Sequence, residues 1–387
     1  MNLRVLPVVC GITASLLTGC KESKAPEAPA PAASNTAEAA AKAAAEKRAD
    51  ASTPSAQGVS SPDCVGPIDT GVPEVVTIAG KSYERNGYKL TVKGDREAEP
   101  KRTIGVLANL NEASGENLFN VKRYLAFFKD AGAEMIVVAG YSGEDRATIE
   151  TVLAAVADSG LPVLVIAGNR ERTTDFTDAM NAVHKNHPNV LNGNRVRYVD
   201  LHGVDLVTLP GYHDPRYIHQ EGAAGCQYFK RDVAALAKLA AEANDPVLLV
   251  AHGQPKGETE HALDVIAPDK EHIGDANLNE VIGQASIPFG IFANVKEAGG
   301  TAIADLAGKT VVAEGAASPT LYLNPGAADS IEWTMNDSST STGSAAVLTI
   351  QGKQASYRIF RAAKLTDAEK AQAAKLIPAS APSAQAE

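Results

Sequence analysis

The sequence predicts an α/β domain in which parallel strands are covered on both faces by helices and followed by mostly antiparallel strands. Three observations carry this. Short apolar runs bounded by Gly and Pro recur from Thr103 onward, segments of helical spacing separate the first of them, and Thr310 to Phe360 is strand-rich with only short turns. Strands buried on both faces read as continuous apolar runs rather than as alternation. The 387 residues, 44% hydrophobic and 21% charged, exclude a wholly disordered chain. The length allows one large or two modest domains. A net charge of −10 argues against a nucleic-acid partner.

Met1 to Arg4 make a short basic start, and Val5 to Leu17 an apolar run of 13 residues. A bilayer-spanning helix needs about 20, so 1–19 reads as a signal peptide. The run ends in Leu17-Thr18-Gly19-Cys20, which resembles the lipobox of bacterial lipoproteins. That resemblance implies cleavage before Cys20 and a lipid on it. Lys21, not Asp, follows the cysteine, which implies an outer-membrane anchor facing the periplasm. Lys21 to Pro62 holds 15 alanines in 42 residues and no aromatic, so 20–63 reads as a lipidated cysteine and a disordered Ala/Pro-rich tether. Residues 64–365 then form the folded domain, and 366–387 a short helix and a disordered tail. Cys64 and Cys226, an even pair in an oxidising compartment, are expected to form a disulfide.

Within the domain, Ile104–Ala108, Glu134–Ala139 and Pro162–Ala167 read as strands. The helices between and after them are Asn117–Ala131, with Leu118, Val121, Leu125 and Phe128 on one face, Arg146–Ala157 and Asp175–His184. Val196–Val199, Asp205–Leu209, Val247–Ala251 and Pro288–Phe292 are the next strands, and Ala-rich Val233–Ala243 reads as a core helix. Ser338–Gly343 reads as a hairpin loop.

Ligands of such sheets bind at the carboxyl ends of the strands. In order, these ends carry Asn109-Leu110-Asn111, Gly140-Tyr141-Ser142, Gly168-Asn169-Arg170-Glu171, His252-Gly253, Asn294-Val295-Lys296-Glu297 and Asn324-Pro325-Gly326. Their order and spacing resemble the calcineurin-like metallophosphoesterases, over about Thr103 to Phe360. Gly211-Tyr212-His213-Asp214-Pro215-Arg216-Tyr217 also resembles a loop of some relatives. The resemblance implies an αββα sandwich with two divalent metal ions at the strand ends, which activate water against a phosphoester. It also implies where this chain departs. Asn109, Asn111, Tyr141, Arg170, Asn294 and Lys296 stand where the family has Asp and His, and Asn169 and His252 alone remain as ligand types.

At about 4 Å and an effective dielectric near 20, exchanging one unit charge shifts an interaction by roughly 4 kcal/mol. Losing two carboxylates and gaining two cations all push the same way, so the usual pair of metal ions is not expected and the sequence reads as a pseudoenzyme without cofactor. Arg170 and Lys296 would then replace the metal charge, with Asn109, Asn111, Tyr141, Asn169, His252 and Asn294 as neutral contacts for a phosphate-containing anion. The bland alternative is that these side chains merely fill the vacated cavity. A protein ligand or scaffolding role is the other binding function. The rival is an active phosphohydrolase with an unusual set of Asn169, His252, His213 and Asp214. His213 and His219 otherwise read as surface or packing residues, and His184 and His187 as cations favoured at a helix C-terminus. Ser142 lacks the context of a hydrolase nucleophile, and Lys230-Arg231 is too short a basic patch for nucleic acid.

Overall fold

The structure, a computed structural model, describes residues 54–220 and 224–377. Cys20 and residues 1–53, with the expected signal, lipid site and most of the tether, lie outside the described residues, as does the tail from 378.

The first strands are β1 (Glu74–Ile78), β2 (Lys81–Asn86), β3 (Lys89–Val92), β4 (Lys101–Leu107), β5 (Met135–Ala139), β6 (Val163–Ile166) and β7 (Val190–Asn192). Next come β8 (Tyr198–Asp200), β9 (Asp205–Leu209), β10 (Val247–Ala251), β11 (Val265–Ile266), β12 (Glu271–His272) and β13 (Phe289–Phe292). The last are β14 (Thr301–Ile303), β15 (Val311–Val312), β16 (Leu321–Asn324), β17 (Trp333–Thr334), β18 (Thr340–Ser341), β19 (Ser344–Gln351) and β20 (Gln354–Arg361). The helices are α1 (Gly115–Asp130), α2 (Arg146–Ala157), α3 (Thr173–Asn186), α4 (Lys230–Ala241), α5 (Ala276–Gln284) and α6 (Asp367–Ala373).

Helix starts follow local chemistry. Side-chain oxygens of Ser114, Asp145 and Asp275 accept from the first-turn N–H groups of α1, α2 and α5, and Thr366 with Glu369 closes a capping box on α6. The expected helix Asp175–His184 extends to Thr173 and Asn186, with His184 and Lys185 in its last turn.

Two large sheets result. One runs β1-β2-β3-β8-β9-β10-β13-β16-β14-β15, the other β20-β19-β4-β5-β6-β7. Strands β4 to β7 are parallel, as are β9, β10, β13 and β16, whereas β19 and β20 add antiparallel to β4. Strand β16 departs from the antiparallel finish. It extends the parallel run because Leu321-Tyr-Leu-Asn is buried throughout, as a central strand must be.

Alternate residues of each strand face different layers. Ile104, Val106, Val137 and Leu164 pack between the sheets with Leu206, Leu248, Val250 and Ile291. Leu107, Ile136, Val138 and Val165 face outward with Val121, Phe128, Val152 and Phe176 of α1 to α3. Val207, Leu249, Leu236 and Leu278 belong to the same outer, helix-covered core. The layering is an αββα sandwich, as the resemblance implies.

The expected tether is corrected over 54–63. Lys230 N, at the start of α4, donates to Ala56 O at 2.9 Å, and Ser55 N to the Asp275 carboxylate at 3.0 Å. Ser60 Oγ donates to Asp232 at 3.0 Å, and Asn277 Nδ2 to Ser55 Oγ at 2.7 Å. This apolar-poor segment is ordered by polar bonds to the first turns of α4 and α5, where backbone groups lack intrahelical partners. The expected disulfide is present: Cys64 and Cys226 are bonded at 2.07 Å.

Candidate functional site

Loops after β4, β5, β6, β9, β10 and β13 meet at one end of the sandwich. Asn109 and Asn111 follow β4 in the left-handed region, with φ of 51° and 60°. Asn tolerates that conformation better than most residues. The Asn109 amide donates to Ala293 O at 2.7 Å, and the Asn111 amide to the Asp329 carboxylate. Asn169 Nδ2 donates to Tyr217 O at 2.7 Å, and its Oδ1 lies 3.0 Å from His252 Nε2. The other His252 nitrogen lies 2.9 Å from Ala139 O. Burial pushes the His252 pKa down to about 4, so the imidazole is neutral. Gly140 and Gly168 are required here, because a Cβ on either would come within 2.8 Å of the His252 ring.

The cations sit differently. Arg170 lies 5.0 Å over the Tyr141 ring, donates from Nε to His219 Nε2 at 3.1 Å, and approaches Glu144 at 3.7 Å. Lys296 Nζ lies 4.1 Å from the Trp333 ring centroid and 5.9 Å from that of Tyr141. Such faces attract cations. Burial, then the Arg170 charge, lowers the Lys296 pKa to about 8. Tyr141 donates to Glu144 at 2.9 Å, and burial first, then that bond, raises its pKa.

Two buried carboxyls brace the loops. Glu171 accepts from Ser142 N at 2.7 Å and Gly168 N at 2.9 Å, tying two strand-end loops together. Asp329 accepts from Trp333 Nε1 at 2.9 Å and Ile331 N at 3.2 Å as well as from Asn111. Burial pushes each carboxyl up to about 7. Asn324 holds the Val295 carbonyl at 2.6 Å, fixing the loop that presents Lys296.

A cavity of about 170 Å³ opens among these loops. Asn109, Asn169, Arg170, Asn294 and Lys296 line it, joined by Tyr217, His219 and Trp333, while Asn111, Tyr141 and His252 stand behind the wall. The Asn109, Asn111 and Asn169 amides each donate one hydrogen bond within the protein, to Ala293 O, the Asp329 carboxylate and Tyr217 O, and so brace the loops. His219 is exposed, as expected of a surface residue, and also stands at the cavity rim. The turn after Pro215 brings it back, and its N–H donates to Asn169 O at 3.0 Å. Composition and spacing gave no sign of Asp329, Trp333 or His219 at the cavity. Glu171 carried one, as the fourth residue of its motif.

The donor set does not fit a pair of divalent ions. The amides are turned to backbone and side-chain partners, and two cations line the space. Among the described residues, no three His, Cys, Asp or Glu ligand atoms gather at the strand ends. The alternative set is scattered too: Asp214 is paired with Arg216 at 2.5 Å, and His213 is buried between Tyr212 and Tyr228, ring centroids 4.5 and 6.0 Å away.

The layers and strand-end loops define an αββα sandwich with its candidate site at the carboxyl ends of the strands. No family model matches the chain, and no curated protein matches it in sequence. Among solved structures, a dimetal phosphatase from Danio rerio is similar at 11% identity and a TM-score of 0.38, covering 68% of this chain and 99% of that one. Purple acid phosphatase PPD1 from yellow lupin is 9% identical with a TM-score of 0.40, covering 72% of this chain and 56% of that one. GAP50, the anchor in the inner membrane complex of Plasmodium, is 11% identical with a TM-score of 0.40, over 72% and 95%. The fold assignment itself stands on the sheet order and the two cores.

Proposed function

We propose that this chain is a catalytically inactive member of the phosphoesterase architecture that binds a small anion, such as phosphate or a phosphate monoester, at the strand ends. One observation carries the reading: Arg170 and Lys296 line the cavity together, while the neighbouring amides are committed to the loops. The two cations replace the charge that metal ions supply elsewhere. Arg170 has planar N–H groups that match a phosphate edge, and Lys296 adds a point charge. The cavity is smaller than the roughly 300–1,000 Å³ of drug-sized ligand sites, which favours a compact anion.

Metal analysis of the purified chain, followed by calorimetric titration with inorganic phosphate, tests this. Metal-free protein that binds phosphate, and loses that binding in Arg170→Ala, supports it. Two equivalents of bound transition metal with turnover of an aryl phosphate overturn it in favour of an active phosphoesterase. No heat with phosphate in the wild type removes the anion.

We also propose that the domain is held at a membrane by a lipid on Cys20, in the outer membrane and facing the periplasm. The lipobox-like Leu17-Thr18-Gly19-Cys20, Lys21 after it and the extracytoplasmic pattern of a Cys64–Cys226 disulfide support this. Among the described residues no helix is long and apolar enough to cross a membrane. Radiolabelled lipid incorporation, expected in the wild type and absent in Cys20→Ala, tests the anchor.

A further inference from the structure

The cavity that presents the two cations also presents one carboxylate. Its charged lining residues are Arg170, Lys296 and Glu297, beside a neutral His219. Lys296–Ala298 forms a 3-10 turn after β13, and Asn336 N donates to Glu297 O at 2.9 Å, which pins that turn to the segment after β17. Glu297 is half-buried, yet among the described residues its carboxylate enters no ion pair and accepts no hydrogen bond. Glu144 also approaches Arg170, at 3.7 Å, but its side chain is 59% exposed and lies outside the lining.

Glu297 lines a second cavity as well, of about 400 Å³, together with Glu260 and Asp337. The Lys and Arg of that cavity are engaged elsewhere: Lys270 meets Glu260 at 2.6 Å, and Arg361 meets Glu314 at 2.6 Å. Glu297 is thus shared by a cation-lined space and an acid-lined one. A carboxylate that gives up part of its water is stabilised when a positive group meets it.

The charges of the strand-end lining suggest what that group belongs to. Arg170 and Lys296 supply two positive charges and Glu297 one negative. A phosphate monoester carries about −1.5 to −2 at pH 7, and an ammonium group on the same molecule carries one positive charge. Such a ligand matches the lining charge for charge. A phosphodiester has a single negative charge and leaves one cation unmet.

We infer that the strand-end cavity takes an aminoalkyl phosphate monoester such as O-phosphoethanolamine, its phosphate between Arg170 and Lys296 and its ammonium on the Glu297 carboxylate. This rests on the anion reading above and adds to it the class of ligand and the residue that selects it. Glu297 repels the same phosphate that the cations attract. It therefore favours a phosphate that brings its own positive charge and disfavours one that does not.

Calorimetric titration of the full chain with inorganic phosphate, ethyl phosphate, O-phosphoethanolamine and glycerophosphoethanolamine tests this. The wild type is expected to bind O-phosphoethanolamine about fivefold tighter than ethyl phosphate, the gain from one half-buried ion pair. Glycerophosphoethanolamine, a diester with the headgroup of a lipid, is expected to bind more weakly than the monoester. Glu297→Gln, checked for retained circular dichroism, is expected to bind the two monoesters about equally. It should bind inorganic phosphate at least as tightly as the wild type, since a repelling charge is gone. A wild type that binds both monoesters equally, or a preference that survives in Glu297→Gln, overturns the assignment. A diester bound as tightly as the monoester overturns the monoester in favour of a lipid headgroup. Phosphate binding without preference for the amine leaves the anion reading standing and removes this one, whereas no binding of any phosphate removes both.

Discussion

Strands β9 and β10 carry opposite charge at their two ends. Beyond their carboxyl ends, Arg170 and Lys296 face a cavity walled by aromatic rings and engaged amides. At their amino ends, Asp200, Asp205 and Asp245 gather around one exposed arginine. The resemblance implies carboxylates beside metal ions at the carboxyl ends, where this chain places Arg170 and Lys296. Burial first, with a nearby like charge adding to it, lowers the Lys296 pKa to about 8 and raises that of Asp205 to about 6. The shared lesson is that a fold tolerates such crowding where aromatic faces or backbone N–H groups offset part of the desolvation.

The two ends also differ in how they are held. The cavity end is braced largely by side-chain amides and carboxyls, and the aspartate end by backbone N–H groups of the adjoining loops. The largest effect is expected from the Cys64–Cys226 bridge, which spans 162 residues and ties the segment preceding α4 to the first described segment. Cys226→Ser with Cys64→Ser should cost about 2–4 kcal/mol in denaturant unfolding. It should also increase hydrogen exchange around Tyr212 to His219 more than around Asp205. Equal loosening at both ends would break the comparison.

Glu171→Ala comes next, because it strands the buried N–H groups of Ser142 and Gly168. A loss of about 2–3 kcal/mol is expected, read by urea unfolding, with Glu171→Gln milder. Third, Lys296→Ala should weaken phosphate binding by about tenfold, or roughly 1.4 kcal/mol, in calorimetry. Unchanged binding would show that the cavity cation does not meet the anion.

A further effect is one of pH. Glu171 and Asp329 have folded pKa values near 7, above those of unfolded carboxyls near 4. The folded state therefore binds more protons through that window. The stability these two groups contribute is fully present below about pH 4 and is lost as pH rises through about 7. Thermal midpoints of the wild type should fall between pH 5 and 8, and Glu171→Gln should flatten the slope. A steeper slope in the variant would sink the assignment.

The strand and helix pattern was legible because burial on both faces imposes continuous apolar runs, and capping residues mark helix starts. Arg146–Ala157 is a helix with the expected bounds, and Asp205–Leu209 and Val247–Ala251 are strands with theirs. The segment 54–63 was not legible, since its order comes from hydrogen bonds to helices some 170 to 220 positions away. The strand-end loops were legible as a constellation. Their roles were not: Asn109 and Asn169 carry the same amide whether it meets a ligand or the Ala293 and Tyr217 carbonyls. His219 and Trp333 reach the cavity only through the turns that follow Pro215 and Asp329.

The sequence by itself determined the alternation of layers, the positions of the strand ends and the amides and cations carried there. These are local properties, fixed by residue type and spacing. Tertiary structure decided which donors remain available and which carboxylates meet. Hydrogen-bond partners and charge neighbours depend on where distant loops converge, so Asp200, Asp205 and Asp245 become one cluster only once β8, β9 and β10 lie side by side.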